Sequence, residues 1–166
     1  MEITLIIAAG VLIGCFIALS WFAGTDAPYV ATKVENLRKI LRLAGIKKGK
    51  KFFELGSGDG RVVIAAAKLK AYSVGIEQSF IRVLMSKYKA KQEGLKNARF
   101  EHGNVFSKNL SSADIVYIYL LPKGVKRLEE KLKKELKKGS IVITQTYHFP
   151  KWKSFKRVEE FRLYRR

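Results

Sequence analysis

The residues best able to do chemistry cluster in one stretch, Lys51-Phe52-Phe53-Glu54-Leu55-Gly56-Ser57-Gly58-Asp59-Gly60-Arg61. An apolar run ends in three glycines at alternate positions, and Val62-Val63-Ile64-Ala65-Ala66-Ala67 follows, so the stretch reads as a strand, a tight turn and the start of a helix. Glycine takes positive φ without steric cost and lets a ligand lie against bare backbone, where a helix N-terminus presents unpaired N–H groups. Two acids frame the turn: Glu54 just before it, and Glu77 after Ala71-Tyr72-Ser73-Val74-Gly75-Ile76. The latter lies near the roughly 20-residue spacing at which a carboxylate meets ribose hydroxyls in nucleotide-binding α/β folds. Arg61 stands where a dinucleotide fingerprint needs glycine or alanine, and the Gly-Lys-Ser/Thr ending of a phosphate-cradling loop is missing. The turn therefore suits a small molecule other than a dinucleotide or a nucleoside triphosphate; a glycine turn that holds no ligand is the plainer reading.

Positioning such a turn takes a sheet with helices on it, and the rest of the chain supplies the pattern. Thr32-x-x-Glu35 reads as a capping box opening a helix, with Val34, Leu37, Ile40, Leu41 and Ala44 on one face and Gly45 at its end. Ser79 to Gly94 reads as a basic amphipathic helix with Phe80, Val83, Leu84 and Tyr88 inward, and Ala98 to Asn104 as a strand. Asp114 to Pro122 reads as a strand apolar enough to be buried on both faces. Lys123 to Lys138 is a charged helix with Val125, Leu128, Leu132 and Leu136 as its apolar stripe, and Gly139 stops it. A strand over 141–147 and a short antiparallel pair, Lys156–Glu160 with Phe161–Tyr164, complete the set. Strands alternating with helices mean βαβ units and a doubly wound sheet, whose ligands bind at the carboxyl ends of the strands. Those ends bring together Glu54 to Gly60, Glu77 with Gln78, Gly103-Asn104-Val105, and Tyr119-Leu120-Leu121-Pro122.

At 166 residues the chain is large enough for one domain with a core. The lone Cys15 excludes an internal disulfide and a cysteine-rich metal site, and no metal site is expected. Ile3 to Ala23 carries no charged side chain, long enough at 1.5 Å per residue to cross a hydrocarbon core of about 30 Å. A secretory signal starts with a positive segment; this one starts with Glu2. The expected division is an N-terminal transmembrane anchor over residues 1–26 and one domain over 27–166, with a cleaved signal or a buried helix as the other readings of the apolar segment. Basic residues all follow the apolar segment, so the positive-inside rule places the domain on the cytoplasmic or equivalent side of a single-pass membrane protein. The net charge of +19 is concentrated in residues 27–166 and calls for a partner bearing negative charge: anionic lipid, nucleic acid or acidic protein.

The run Glu54-Leu55-Gly56-Ser57-Gly58-Asp59-Gly60-Arg61, with Glu77 after it, resembles motif I of the class I, seven-strand methyltransferases that use S-adenosylmethionine. Tyr119-Leu120-Leu121-Pro122 and the Pro28-Tyr29-Val30 segment behind an apolar span resemble a membrane-anchored subgroup, the protein-lysine methyltransferases related to the enzyme that modifies the mitochondrial ATP synthase c-subunit. The resemblance covers residues about 27–147. It implies a Rossmann-like seven-strand sheet behind an N-terminal transmembrane helix, and S-adenosylmethionine as cofactor. It also implies cofactor contacts at Tyr29, Thr32, Glu54, Gly56, Ser57, Gly58, Asp59, Gly60, Glu77, Gln78, Asn104, Val105 and Tyr119. Asn104 stands where the family usually has aspartate near the adenine amine, with an amide oxygen in its place. Tyr117, Tyr119 and Pro122 fall where the acceptor amine would meet the cofactor, and a protein lysine at the membrane surface is the favoured acceptor. A nucleic-acid acceptor, a lipid or small-molecule acceptor, and a cofactor-binding membrane module without turnover remain as alternatives.

No Ser/His/Asp nucleophile set is present, and His102 and His148 read as structural histidines. Phe149-Pro150-Lys151-Trp152-Lys153-Ser154-Phe155-Lys156-Arg157 interleaves aromatic and basic residues. It fits a single-stranded nucleic-acid platform, a lipid-interface patch, or a connection whose aromatics complete the core.

Overall fold

The computed structural model describes residues 2–22 and 34–166. Helix α1 spans Glu2–Phe22, and its large apolar side chains from Ile3 to Phe16 stand exposed. No helix among the described residues is long and apolar enough to cross a membrane. Tyr29 and Thr32, with the expected capping box, lie outside the described residues.

The remaining elements are α2 (Val34–Leu43), β1 (Lys51–Leu55), α3 (Arg61–Lys68), β2 (Tyr72–Glu77), α4 (Phe80–Gln92), β3 (Ala98–His102), β4 (Ile115–Ile118), α5 (Pro122–Glu135), β5 (Ile141–Gln145), β6 (Lys156–Val158) and β7 (Phe161–Arg165). The strands form one seven-stranded sheet in the order β3-β2-β1-β4-β5-β7-β6. The first five are parallel, and the β6–β7 hairpin adds to β5 antiparallel, with Ile143 opposite Leu163. The doubly wound seven-strand sheet expected from the sequence is thus present.

Alternation along the strands sorts the core into two layers. Phe52, Ile115, Tyr117, Ile143 and Leu163 point to one face and pack with Leu37, Ile40 and Leu41 of α2 and Val62 and Ala66 of α3. Val63 and Ile64 of α3 continue that layer against Val83 and Ala90 of α4 and Phe100 of β3. Phe53, Leu55, Val116, Ile118 and Val142 point the other way, onto Val125, Leu128, Leu132 and Leu136, the predicted stripe around α5. Gly45 ends α2 at φ 82, the left-handed geometry of a helix stop, whereas α5 ends earlier than expected, at Glu135, where Leu136 turns extended, and Gly139 (φ 85) lies in the turn before β5. In the 149–157 segment Phe149 and Trp152 join the core: Phe149 is buried and stacks on Trp152, and both rings meet Tyr164, while Phe155 is exposed.

Two expectations fail. The strand expected to run through Pro122 ends at Ile118, because Pro122 opens α5 within its first turn, where a fixed φ and a missing N–H are no loss. Phe80, Leu84 and Tyr88 of α4 do not face inward; they are 59%, 48% and 64% exposed, and the buried face is Arg82, Val83, Ser86 and Ala90.

Asp114 clasps the edge of the sheet opposite the carboxyl ends. It accepts the Lys51 N–H at 2.8 Å, and Lys137 Nζ lies 2.8 Å and Lys50 Nζ 3.6 Å from its carboxylate. Burial alone would raise its carboxyl, but the Lys137 and Lys51 hydrogen bonds and the two lysine charges outweigh this and hold it below the usual range. A carboxyl depressed in the fold stabilises above its unfolded pKa of about 4, and that contribution is lost as pH falls through the folded value. Asp114→Asn is therefore predicted to cost about 1 kcal/mol near neutral pH. Thermal melts of the two proteins should begin to approach each other below the unfolded pKa and converge as pH falls through the lower, folded value; a gap that persists unchanged into acid would refute the charge-based account.

Candidate functional site

The site is built where β1, β2, β3 and β4 end on the same side of the sheet. After Leu55 the chain turns through Gly56, Gly58 and Gly60 at φ 83, 52 and 79, and α3 starts at Arg61. The Gly56 and Ser57 N–H groups both donate to the Ile76 carbonyl, at 2.9 and 3.0 Å, so the turn is stitched to β2. Close approach is the constraint at two glycines in particular. A Cβ on Gly60 would meet the Phe100 ring and Ser86 Oγ at 2.7 to 2.8 Å, and one on Gly75 would meet Ser57 at 2.7 Å. Sequence spacing marks Gly60 as part of a motif; Gly75 reads as an ordinary strand residue until the turn lies across it.

Glu77 fixes the turn from the end of β2. One carboxylate oxygen accepts the Gly58 N–H at 2.9 Å and the other accepts the Ser79 N–H at 2.9 Å, which ties the turn to the start of α4. Each oxygen keeps a lone pair for a ligand hydroxyl. Glu54 sits underneath, buried, accepting the Val63 N–H at 3.2 Å. Burial pushes its carboxyl well above the usual range; the Val63 N–H opposes this, the charges of Asp59 and Glu77 add to it, and Arg61 opposes it. Glu54 is thus a support of the turn rather than an exposed contact.

Asp59 leans the other way. Burial would raise it, but hydrogen bonds and charge from Arg61 (2.9 Å) and Lys89 (3.1 Å) hold it well below the usual carboxylate range. Lys89 comes from α4, as does Ser86, whose hydroxyl donates to the Gly58 carbonyl at 3.3 Å. These two braces carry no sequence signature, because only the packing of α4 beside the turn reveals them.

The other expected contacts spread around the same rim. Gln78 is exposed, and its carbonyl takes the Nε2–H of His102 at 2.8 Å. Asn104 is exposed with its amide oxygen accepting the Phe106 N–H at 2.9 Å, while Val105 is buried. Tyr119 is half-buried just past β4, and Leu120 lies over the turn, 3.0 Å from where a Gly56 Cβ would be. Pro122 is exposed on the first turn of α5. Tyr117 does not join this rim. It is fully buried in β4 on the α2 face and hydrogen-bonds Gln145, whose amide reaches Glu160 at 2.9 Å. In a sheet covered on both faces a mid-strand tyrosine has no route to an acceptor, so Tyr117 supports the strand end and Tyr119 alone of the pair can reach a ligand. His148 follows β5, sharing a 2.8 Å hydrogen bond with Thr144; burial and the charges of Arg162 and Arg157 lower its pKa and favour the neutral ring.

The arrangement combines a glycine turn, a carboxylate with spare acceptors and a buried Ser57 hydroxyl with no hydrogen-bond partner among the described residues. These are the groups needed to hold a nucleoside-type ligand carrying a polar tail.

The chain matches the ANTKMT methyltransferase domain family over residues 54–156. It is 32% identical to the human lysine N-methyltransferase of the ATP synthase c-subunit, over 75% of this chain and 54% of that one. To a protein-lysine N-methyltransferase of Saccharolobus islandicus it is 33% identical, over 75% of this chain and 80% of that one. The chain therefore spans about half the length of the human relative. Among solved structures, the RNA methyltransferase of Salinibacter ruber in complex with S-adenosyl-L-homocysteine superposes with a TM-score of 0.75 at 31% identity, covering 82% of this chain and 92% of that one.

Glu77→Ala is predicted to remove the carboxylate that the Gly58 and Ser79 N–H groups donate to and the ligand acceptor together. Binding of S-adenosylhomocysteine by calorimetry should weaken by about 1.5–3 kcal/mol, with the fold retained by circular dichroism. Unchanged affinity in a folded variant would remove Glu77 from the site.

Proposed function

This chain belongs to the ANTKMT methyltransferase domain family, and from that premise we propose that it is an S-adenosylmethionine-dependent methyltransferase that modifies lysine side chains of a protein at a membrane surface. The observation that carries the cofactor is the turn itself: Gly56 to Gly60 braced on Glu77, with a buried Ser57 hydroxyl that has no hydrogen-bond partner among the described residues. Glu77 would hold the ribose hydroxyls, Asn104 and Val105 the adenine side, and the glycine turn the amino-acid tail. When bound, the cofactor supplies a sulfonium methyl that is already electrophilic.

What remains for the protein is alignment, water exclusion and a neutral nucleophile. A lysine amine has a reference pKa near 10.4 and must lose its proton before it can attack. Three features favour the neutral amine at the end of β4. Leu120 and Leu121, both half-buried, offer an apolar approach that disfavours the ammonium. The Tyr119 hydroxyl, just past the end of β4, would accept a hydrogen bond from the amine and orient its lone pair. The strongly basic domain also raises the cost of a further positive charge there.

The lysine acceptor is supported by the names of the relatives in humans and Saccharolobus. Membrane placement rests on the uncharged run Ile3 to Ala23 in the sequence. In that arrangement residues 1–26 anchor the chain and residues 27–166 work on the cytoplasmic or equivalent side, where the anchor concentrates substrates of the same membrane. The net charge and the likeness to an RNA methyltransferase give a nucleic-acid acceptor as the second reading.

Incubation of the full chain with radiolabelled S-adenosylmethionine and separate protein, RNA and lipid fractions is predicted to label protein, with acid hydrolysis returning methyl-lysine. Label confined to RNA or lipid would overturn the lysine acceptor. The anchored chain should stay with membranes through high salt and alkaline carbonate; release by either would reduce the attachment to a peripheral, electrostatic one.

A further inference from the structure

The outer face of α4 is the largest apolar feature of the domain that no packing explains. Phe80, Leu84, Met85 and Tyr88 recur at helical spacing on one side and are 59%, 48%, 41% and 64% exposed. Single exposed apolar residues are ordinary on a protein surface; four at this spacing are a patch. Among the described residues from 34 onward only Leu43, Tyr147 and Phe155 are comparably exposed, and they lie apart on α2, after β5 and before β6.

The chemistry around the patch selects its partner. α4 contains no acidic residue, and exposed Lys87 and Lys91 border the stripe. The inward cations are accounted for separately, Lys89 on Asp59 and Arg82 buried. Apolar side chains in a band with lysines beside them match a helix lying in a membrane interface, its apolar face a few ångströms into the acyl boundary and its ammonium groups among headgroup phosphates. α1 lies beside α4, yet the stripe stays exposed, so α1 does not cover it. The exposed Ile3, Ile6, Ile7 and Phe16 of α1 extend the apolar surface beyond α4.

We propose that the exposed stripe of α4 is a membrane-docking surface that takes anionic phospholipid. Phe80 caps the stripe at its site end, packing edge-on against His102 at 6.0 Å, next to Glu77 and Gln78. Lipid contact along α4 therefore sets the angle at which the rim of the site meets the bilayer, something a single tether through residues 1–26 does not fix. Docking at α4 is independent of the anchor: it depends on what α4 touches, whether or not α1 spans the bilayer.

The test uses the full chain with Cys15→Ser, which removes the native thiol, reconstituted with vesicles of phosphatidylcholine and phosphatidylserine. A nitroxide is attached at Leu84→Cys or Tyr88→Cys, both exposed positions remote from the core. Controls at Lys134→Cys, exposed on α5, and Leu12→Cys, on α1, are run in parallel. Power saturation should show the oxygen-to-nickel accessibility ratio at 84 and 88 rising about tenfold over that at 134, as expected for a side chain moved from water into the acyl boundary. Labels at 84 and 88 as open to nickel as the one at 134 would overturn the proposal. So would shielding from both reagents, which marks a protein cover such as α1 or a second copy, or protection that appears only on adding RNA. A lipid signal at Leu12 without one at 84 and 88 would leave the anchor standing and end the α4 proposal; the reverse result would do the opposite.

Discussion

The site depends on one carboxylate. Glu77 holds the Gly58 N–H with one oxygen and the Ser79 N–H with the other, each at 2.9 Å, and in doing so ties the glycine turn to the β2–α4 junction, 19 residues away in sequence. A glycine turn has more conformational freedom than any other segment, so it keeps a ligand-ready shape only if something outside it fixes the backbone. Here the fixing is mutual. β2 supplies the Ile76 carbonyl and the bare surface of Gly75, α4 supplies Ser86 and Lys89, and Glu54 supports the start of α3 from beneath. Without these, Gly56 to Gly60 would be an unrestrained loop.

That mutual bracing explains why α4 is turned as it is. A helix that must bring Ser86 to within 3.3 Å of the Gly58 carbonyl cannot place large side chains against the turn. Beside Arg82, its buried face is Val83, Ser86 and Ala90, with Phe100 from β3 filling the space beside Gly60. The large apolar residues are left on the outside, where a soluble surface gains nothing from them. Orientation of α4 by the site and exposure of its apolar stripe are two consequences of one packing constraint.

Most of the fold was legible because strong signals agreed. The glycine turn, the buried strand at Ile115 to Ile118 and the stripe on α5 each follow from pattern alone, and the doubly wound sheet follows from alternating strands and helices. What was not legible depended on neighbours. Hydrophobic periodicity sees the 3.6-residue repeat of α4 and assigns the large apolar residues inward, whereas Arg82, Val83, Ser86 and Ala90 are buried. Pro122 follows an apolar run and reads as its end, but its ring geometry starts α5. Tyr117 and Tyr119 fall two apart in one apolar run, so pattern cannot separate them. Burial by α2 and the Gln145 hydrogen bond take Tyr117 out of reach, while Tyr119 lies past the last strand residue.

The central claim is that the turn between β1 and α3, clasped by Glu77, holds the cofactor. Amide hydrogen exchange on the full chain, with and without S-adenosylhomocysteine, tests it most directly. Slower exchange is predicted at residues 56–60, 77–79 and 104–105, with α5 and the β6–β7 hairpin unchanged. Protection elsewhere, or none at saturating ligand, would contradict it.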